Sequence, residues 1–124
     1  MRILARRERG AALVEMALVL PVLVLLIVGL FEFGRAYNAK ITLTHATREG
    51  VRVYSISGDP DDAVSTVLSA AIPLDASLIN VTTTDCDRGE PTSVSATYPH
   101  SYNIPLFGAA TITMSSTAVM RCGG

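Results

Sequence analysis

An apolar run from Ala11 to Phe31 limits what this chain can fold into more than any other feature. It holds one ionisable residue, Glu15, and four arginines precede it: Arg2, Arg6, Arg7 and Arg9. Counted from Met16, the run makes a helix of about 24 Å, short of the ~30 Å hydrocarbon core of a bilayer. Counted from Ala11 it reaches roughly 32 Å and spans. The longer count places Glu15 in or at the edge of the apolar slab. An ionisable group there costs about 2.5 to 3.5 kcal/mol, so its presence points to function. The plainer alternative is an ordinary signal anchor whose Glu15 snorkels to the headgroups. Arginines before the span outnumber the basic residues just after it, Arg35 and Lys40, which puts the N-terminus in the cytoplasm and the remainder outside. As a secretory signal the segment lacks a small-x-small cleavage site, because Gly29-Leu30-Phe31-Glu32-Phe33 is bulky, so the run is expected to stay with the protein.

Beyond the span, the 124-residue chain leaves room for one small exported domain, whose core is marginal without a covalent staple. The net charge of -1, with the basic residues gathered at the N-terminus, argues against nucleic acid as a partner. Cys86 and Cys122 both lie on the exported side and are expected to form a disulfide.

The helical pattern continues past the membrane. Ala36, Ala39, Leu43, Ala46, Gly50 and Val53 recur at spacings of three and four, forming a narrow seam of small side chains; Phe33, Tyr37 and Ile41 make a bulkier row. The seam is read as packing on the protein's own domain, with another helix as the alternative. Pro21 removes one hydrogen bond within the span, and Gly58 ends the helix. Asp59-Pro60-Asp61-Asp62 is a helix start rather than a calcium loop, and the second helix runs to about Ala71.

From Leu78 the period changes to two. Ile79, Val81 and Thr83 give a first strand and Val94, Ala96 and Tyr98 a second. An irregular connection is expected from Pro99 to Pro105, then a third strand through Ile112 and Met120. The fold class is therefore α+β: a long N-terminal helix, a second short helix and a small, mostly antiparallel sheet of about three strands. The strand order stays open, because the two cysteines end the first and third strands. In a simple meander those ends lie about two strand spacings apart, nearly 10 Å, whereas a disulfide needs Cα atoms within about 7 Å.

The N-terminal residues resemble the TadE-like pseudopilins of tight-adherence (Flp, type IVc) pilus systems. Arg6-Arg7-Glu8-Arg9-Gly10 matches a short basic leader ending in glycine, and Ala11-Ala12-Leu13-Val14-Glu15 matches a mature start with Glu as its fifth residue. Leu18-Val19-Leu20-Pro21, Glu32-Phe33-Gly34-Arg35 and Thr47-Arg48-Glu49-Gly50-Val51-Arg52 extend the likeness, while Met16 stands where the pattern often carries an aromatic residue. The resemblance implies cleavage by a prepilin peptidase between Gly10 and Ala11, a pilin-like fold and a Glu15 that registers neighbouring pilins. The physical chemistry agrees: cleavage leaves an ammonium on Ala11, and a carboxylate four residues on shares its helical face and can neutralise it, within one chain or between two.

The chain is thus read as a leader over 1–10, a transmembrane helix over 11–34, a helical stalk over 35–58 and an exported domain over 59–124. The expected partners are the membrane, a prepilin peptidase, other pilins and the pilus assembly machinery. No phosphate loop, nucleophile elbow or metal-spaced His/Cys cluster occurs; His45 reads as solvated or interfacial and His100 as a loop residue. No enzyme activity, cofactor, metal or small-molecule substrate is expected. The rival reading is an uncleaved signal-anchored protein that displays its sheet to an extracellular partner.

Overall fold

The computed structural model describes the backbone of residues 2–123 and the side chains of residues 8–123. Helix α1 runs without interruption over Arg2–Ser57, 56 residues, about 84 Å at 1.5 Å per residue. It passes through Pro21, whose missing N–H leaves the Ala17 carbonyl without its usual intrahelical donor. Gly58 stops it: its φ of 68° turns the chain out of the helix, and its N–H closes on the Tyr54 carbonyl at 2.8 Å.

Helix α2, Pro60–Ala70, begins as the Asp-Pro-Asp-Asp run dictates. The Asp59 carboxylate accepts the Asp61 N–H at 2.9 Å, and Pro60 occupies the first turn, where no donor is missed. Ala63, Val67 and Ala71 turn inward against α1. The small-residue seam of α1 faces this domain: Ala36, Ala39, Leu43, Ala46 and Gly50 are buried and Val53 is partly buried, whereas Phe33, Tyr37 and Ile41 point outward. The seam therefore packs on the protein's own domain. Leu43, Ala46, Val51 and Tyr54 from α1 and Val94 and Ala96 from the sheet complete the core.

Three strands form an antiparallel sheet in the order β1-β2-β3: β1 Asn80–Thr83, β2 Pro91–Ile104 and β3 Gly108–Arg121. Two expectations are corrected. Ala76–Leu78 is a single 3-10 turn, so the first strand starts at Asn80. Pro99–Ile104 is no irregular connection but the second half of β2, paired with β3 down to Ile104 opposite Gly108. Pro99 is tolerated because β1 pairs with β2 only from Val94 to Thr97; beyond that point β2 has a neighbour on one side alone. The result is a long hairpin arm that projects past β1.

The order is the simple meander, yet Cys86 and Cys122 are bonded, with Cα atoms 5.5 Å apart. Cys86 lies beyond the end of β1, in a segment that bends across the end of β2 towards β3. Gly89 N–H donates to the Cys122 carbonyl and Cys122 N–H to the Glu90 carbonyl, each at 2.8 Å. The same end is tied to α1, because Gly123 N–H reaches the Ser55 carbonyl and the Tyr54 hydroxyl reaches the Thr84 carbonyl, both at 2.8 Å.

Candidate assembly and membrane face

The residues expected to be cut and to register neighbours all lie on the projecting part of α1. Arg9, Gly10, Ala11 and Glu15 are exposed, and a Cβ built on Gly10 meets no other atom within 4 Å. Ala11 and Glu15, four residues apart on a helix, present their side chains to the same side. Arg2, Arg6 and Arg7 fall within α1, but their side chains lie outside the described residues. The Gly10–Ala11 bond sits inside helical backbone, so an enzyme that binds its substrate extended must first unwind a turn there.

From Leu13 to Leu30 the large apolar side chains of α1 face outward around almost its whole circumference. Such a helix is stable only in lipid or among other apolar surfaces. This helix is the one among the described residues that is long and apolar enough to cross a membrane.

Where α1 meets the sheet, two ionisable groups are buried that sequence reasoning did not single out as functional. Glu32 is 8% exposed and its Oε1 accepts from the Arg35 guanidinium at 3.1 Å. His100, on β2 and 5% exposed, packs edge-on against Tyr102 with ring centroids 4.8 Å apart. Glu32 Oε2 and His100 Nε2 are both buried without a hydrogen-bond partner. His100 and Arg35 line a cleft of about 300 Å3 together with Asn38, Ala39, Leu74 and Tyr98. The signal for Glu32 was its spacing of three from Arg35. For His100 it was the alternation of Tyr98, His100, Tyr102 and Ile104 with Pro99, Ser101 and Asn103, which the two prolines masked.

The remaining candidates are structural. His45 is exposed on α1. Asp75 caps the 3-10 turn, and hydrogen bonds from the Ser77 hydroxyl and backbone N–H hold its carboxyl below the ordinary carboxylate value. Among the described residues no three His, Cys, Asp or Glu side chains gather as a metal-binding group.

Compared with known proteins, residues 10–52 match the family described as TadE-like protein. No curated protein and no solved structure matches the chain.

Proposed function

We propose that this chain, whose residues 10–52 match the TadE-like family, is a minor pseudopilin of a tight-adherence pilus system that a prepilin peptidase trims after Gly10 before it joins its pilin partners. The observation that carries the reading is that the match begins at Gly10 and covers a helix whose apolar surface is exposed from Leu13 to Leu30. The family is one of structural pilus proteins, and a long apolar N-terminal helix fits a membrane-associated member of it. In this reading the N-terminus faces the cytoplasm, α1 crosses the cytoplasmic membrane once, and residues 59–124 lie outside. The basic leader, Arg2, Arg6, Arg7 and Arg9, holds that orientation until processing. Cleavage then frees the Ala11 ammonium, and Glu15 of the same or a neighbouring subunit supplies its counter-charge where water is scarce.

The test separates processing from assembly. Intact mass of the membrane-extracted protein is expected to correspond to a chain beginning at Ala11. Glu15→Leu is expected to insert and be cleaved as well as the wild type, because it removes a costly carboxylate and leaves the Gly10 junction alone. Its co-purification with pilin partners is expected to fall, and Glu15→Gln to behave like Glu15→Leu because it keeps the shape and loses the charge. Wild-type recovery of Glu15→Leu with filament components would make the carboxylate a bystander.

A second reading, an uncleaved signal anchor that displays its sheet, draws on the continuity of helical backbone through Gly10–Ala11. A membrane-extracted protein that retains its first residues would select it.

A further inference from the structure

The β2–β3 hairpin extends well past β1, and its distal part lies along the apolar portion of α1. Its turn is Pro105-Leu106-Phe107, of which Pro105 and Leu106 border a groove of about 430 Å3 whose helical wall includes Pro21, Val24, Leu25 and Val28. Those four residues belong to the Ala11–Phe31 run; they sit roughly 5 to 15 Å along the helix from Phe31 towards the N-terminus. Whenever that run occupies a bilayer, the turn lies deeper than Phe31, where the run ends on the side of the domain.

The hairpin is made for that place. From Pro91 to Met120 the chain contains no Asp, Glu, Lys or Arg. At the turn, Leu106 is 94% and Phe107 75% exposed, pointing away from the protein's own core. Leu106 holds a φ of 75°, a left-handed conformation that glycine adopts freely and a leucine does not. The site thus carries a large apolar side chain in spite of the backbone cost, and nothing within the domain covers it. The turn also exposes few unpaired donors: Pro105 has none, Phe107 N–H donates to the Ile104 carbonyl at 3.1 Å, and Ile104 is paired with Gly108. An open sheet edge is not tolerated in hydrocarbon, which confines entry to this tip. Ser101, Asn103, Thr111 and Thr113 farther up the arm are suited to the headgroups.

We propose that Ile104–Gly108 inserts into the bilayer leaflet nearest the exported domain, beside α1, so that the protein grips lipid through two elements. The inference rests on the reading of Ala11–Phe31 as a membrane span. It fixes the domain's height and rotation over the membrane, because the hairpin and the helix together leave the domain one way to sit.

The chain has no tryptophan, so a single introduced one reports alone. Full-length Phe107→Trp in phosphatidylcholine vesicles is expected to emit at blue-shifted wavelength. It is expected to lose most of that emission when the acyl chains carry bromine near the headgroup, and less when bromine sits near the bilayer centre. Leu20→Trp reports the span itself and is expected to be quenched from the bilayer centre; Ile56→Trp, at the far end of α1, is expected to be unquenched. Quenching at position 20 with water-like, unquenched emission at 107 overturns the hairpin's insertion and leaves the span intact. A blue-shifted but unquenched Trp at 107 likewise overturns it, showing that a protein surface, a second copy included, covers the tip. Absence of quenching at position 20 overturns the span and the insertion with it.

Discussion

Gly50 of α1 packs directly against Ala63 and Val67 of α2. A Cβ there would collide with a Val67 methyl and touch the Ala63 carbonyl at 3.4 Å. Val67 is fully buried and β-branched, so its χ1 is close to fixed in a helix and it cannot swing aside. Alanine at position 50 gains up to about 1 kcal/mol in helix propensity, but overpacking costs about 1 to 3 kcal/mol. Gly50→Ala is therefore expected to destabilise the domain by about 1 to 2 kcal/mol in denaturant unfolding, and the double variant with Val67→Ala to be less destabilised than the two losses summed. Asp75 offers a pH-dependent counterpart. Its folded carboxyl titrates below the ordinary value, so its contribution is present above the unfolded value and is lost as pH falls through the lower, folded one. Ser77→Ala removes the largest cause of that depression, and an NMR titration is expected to show the Asp75 midpoint rise towards 3.8, the unperturbed value. The small-residue seam and the Asp59 cap of α2 were legible at this scale because each depends on neighbours close in sequence, whereas the Asp75 cap was not read from it. The burial of Glu32 and His100 was not, since it arises where a helix and a strand 68 positions apart meet.

Among the elements, the strands illustrate what sequence could and could not reveal. Period-two alternation marks the parts of β2 and β3 over the core, and the expected end of α1 and both expected ends of α2 fall within a residue or so of those observed, whereas α1 begins at Arg2, nine residues before the expected start at Ala11. The hairpin arm was hidden because Pro99 and Pro105 read as breakers. The first lies where β2 lacks a second neighbour and the second lies in the turn, so neither breaks the ladder. Strand order was equally inaccessible. The expected bond required either neighbouring first and third strands or cysteines in segments that bend together, and the structure has the second, a bent segment after β1 that reconciles the bond with the meander. That bond closes a sequence separation of 36, worth about 4 kcal/mol in the chain-entropy view. Cys86→Ser with Cys122→Ser, or reduction of the native protein, is expected to lower the unfolding free energy of the α+β domain by about 3 to 4 kcal/mol. Thiol labelling that modifies both cysteines readily in the native exported protein would show the bond to be absent there.

At the scale of the molecule, one helix belongs to two environments. Its Leu13–Leu30 portion is apolar around almost the whole circumference and its Ala36–Tyr54 portion is the central stave of the small domain, and the helix passes from one to the other, through Gly29 and Gly34, with no loop break. The long helix was legible because apolar and small residues recur along it; the arm that descends beside it was not. The lack of a joint has a mechanical consequence. A pull on the N-terminal end of α1 cannot be absorbed by a hinge and travels along the shaft into the domain. There the hairpin lies lengthwise on the same shaft, so the load slides one against the other instead of peeling strands apart one by one. At the far end, the Gly123–Ser55 bond ties the end of the last strand to the last turns of α1, and the cross-link ties it to the segment after β1. The force thus enters at the apolar end of α1 and meets its anchor where the last strand is pinned to the helix's other end.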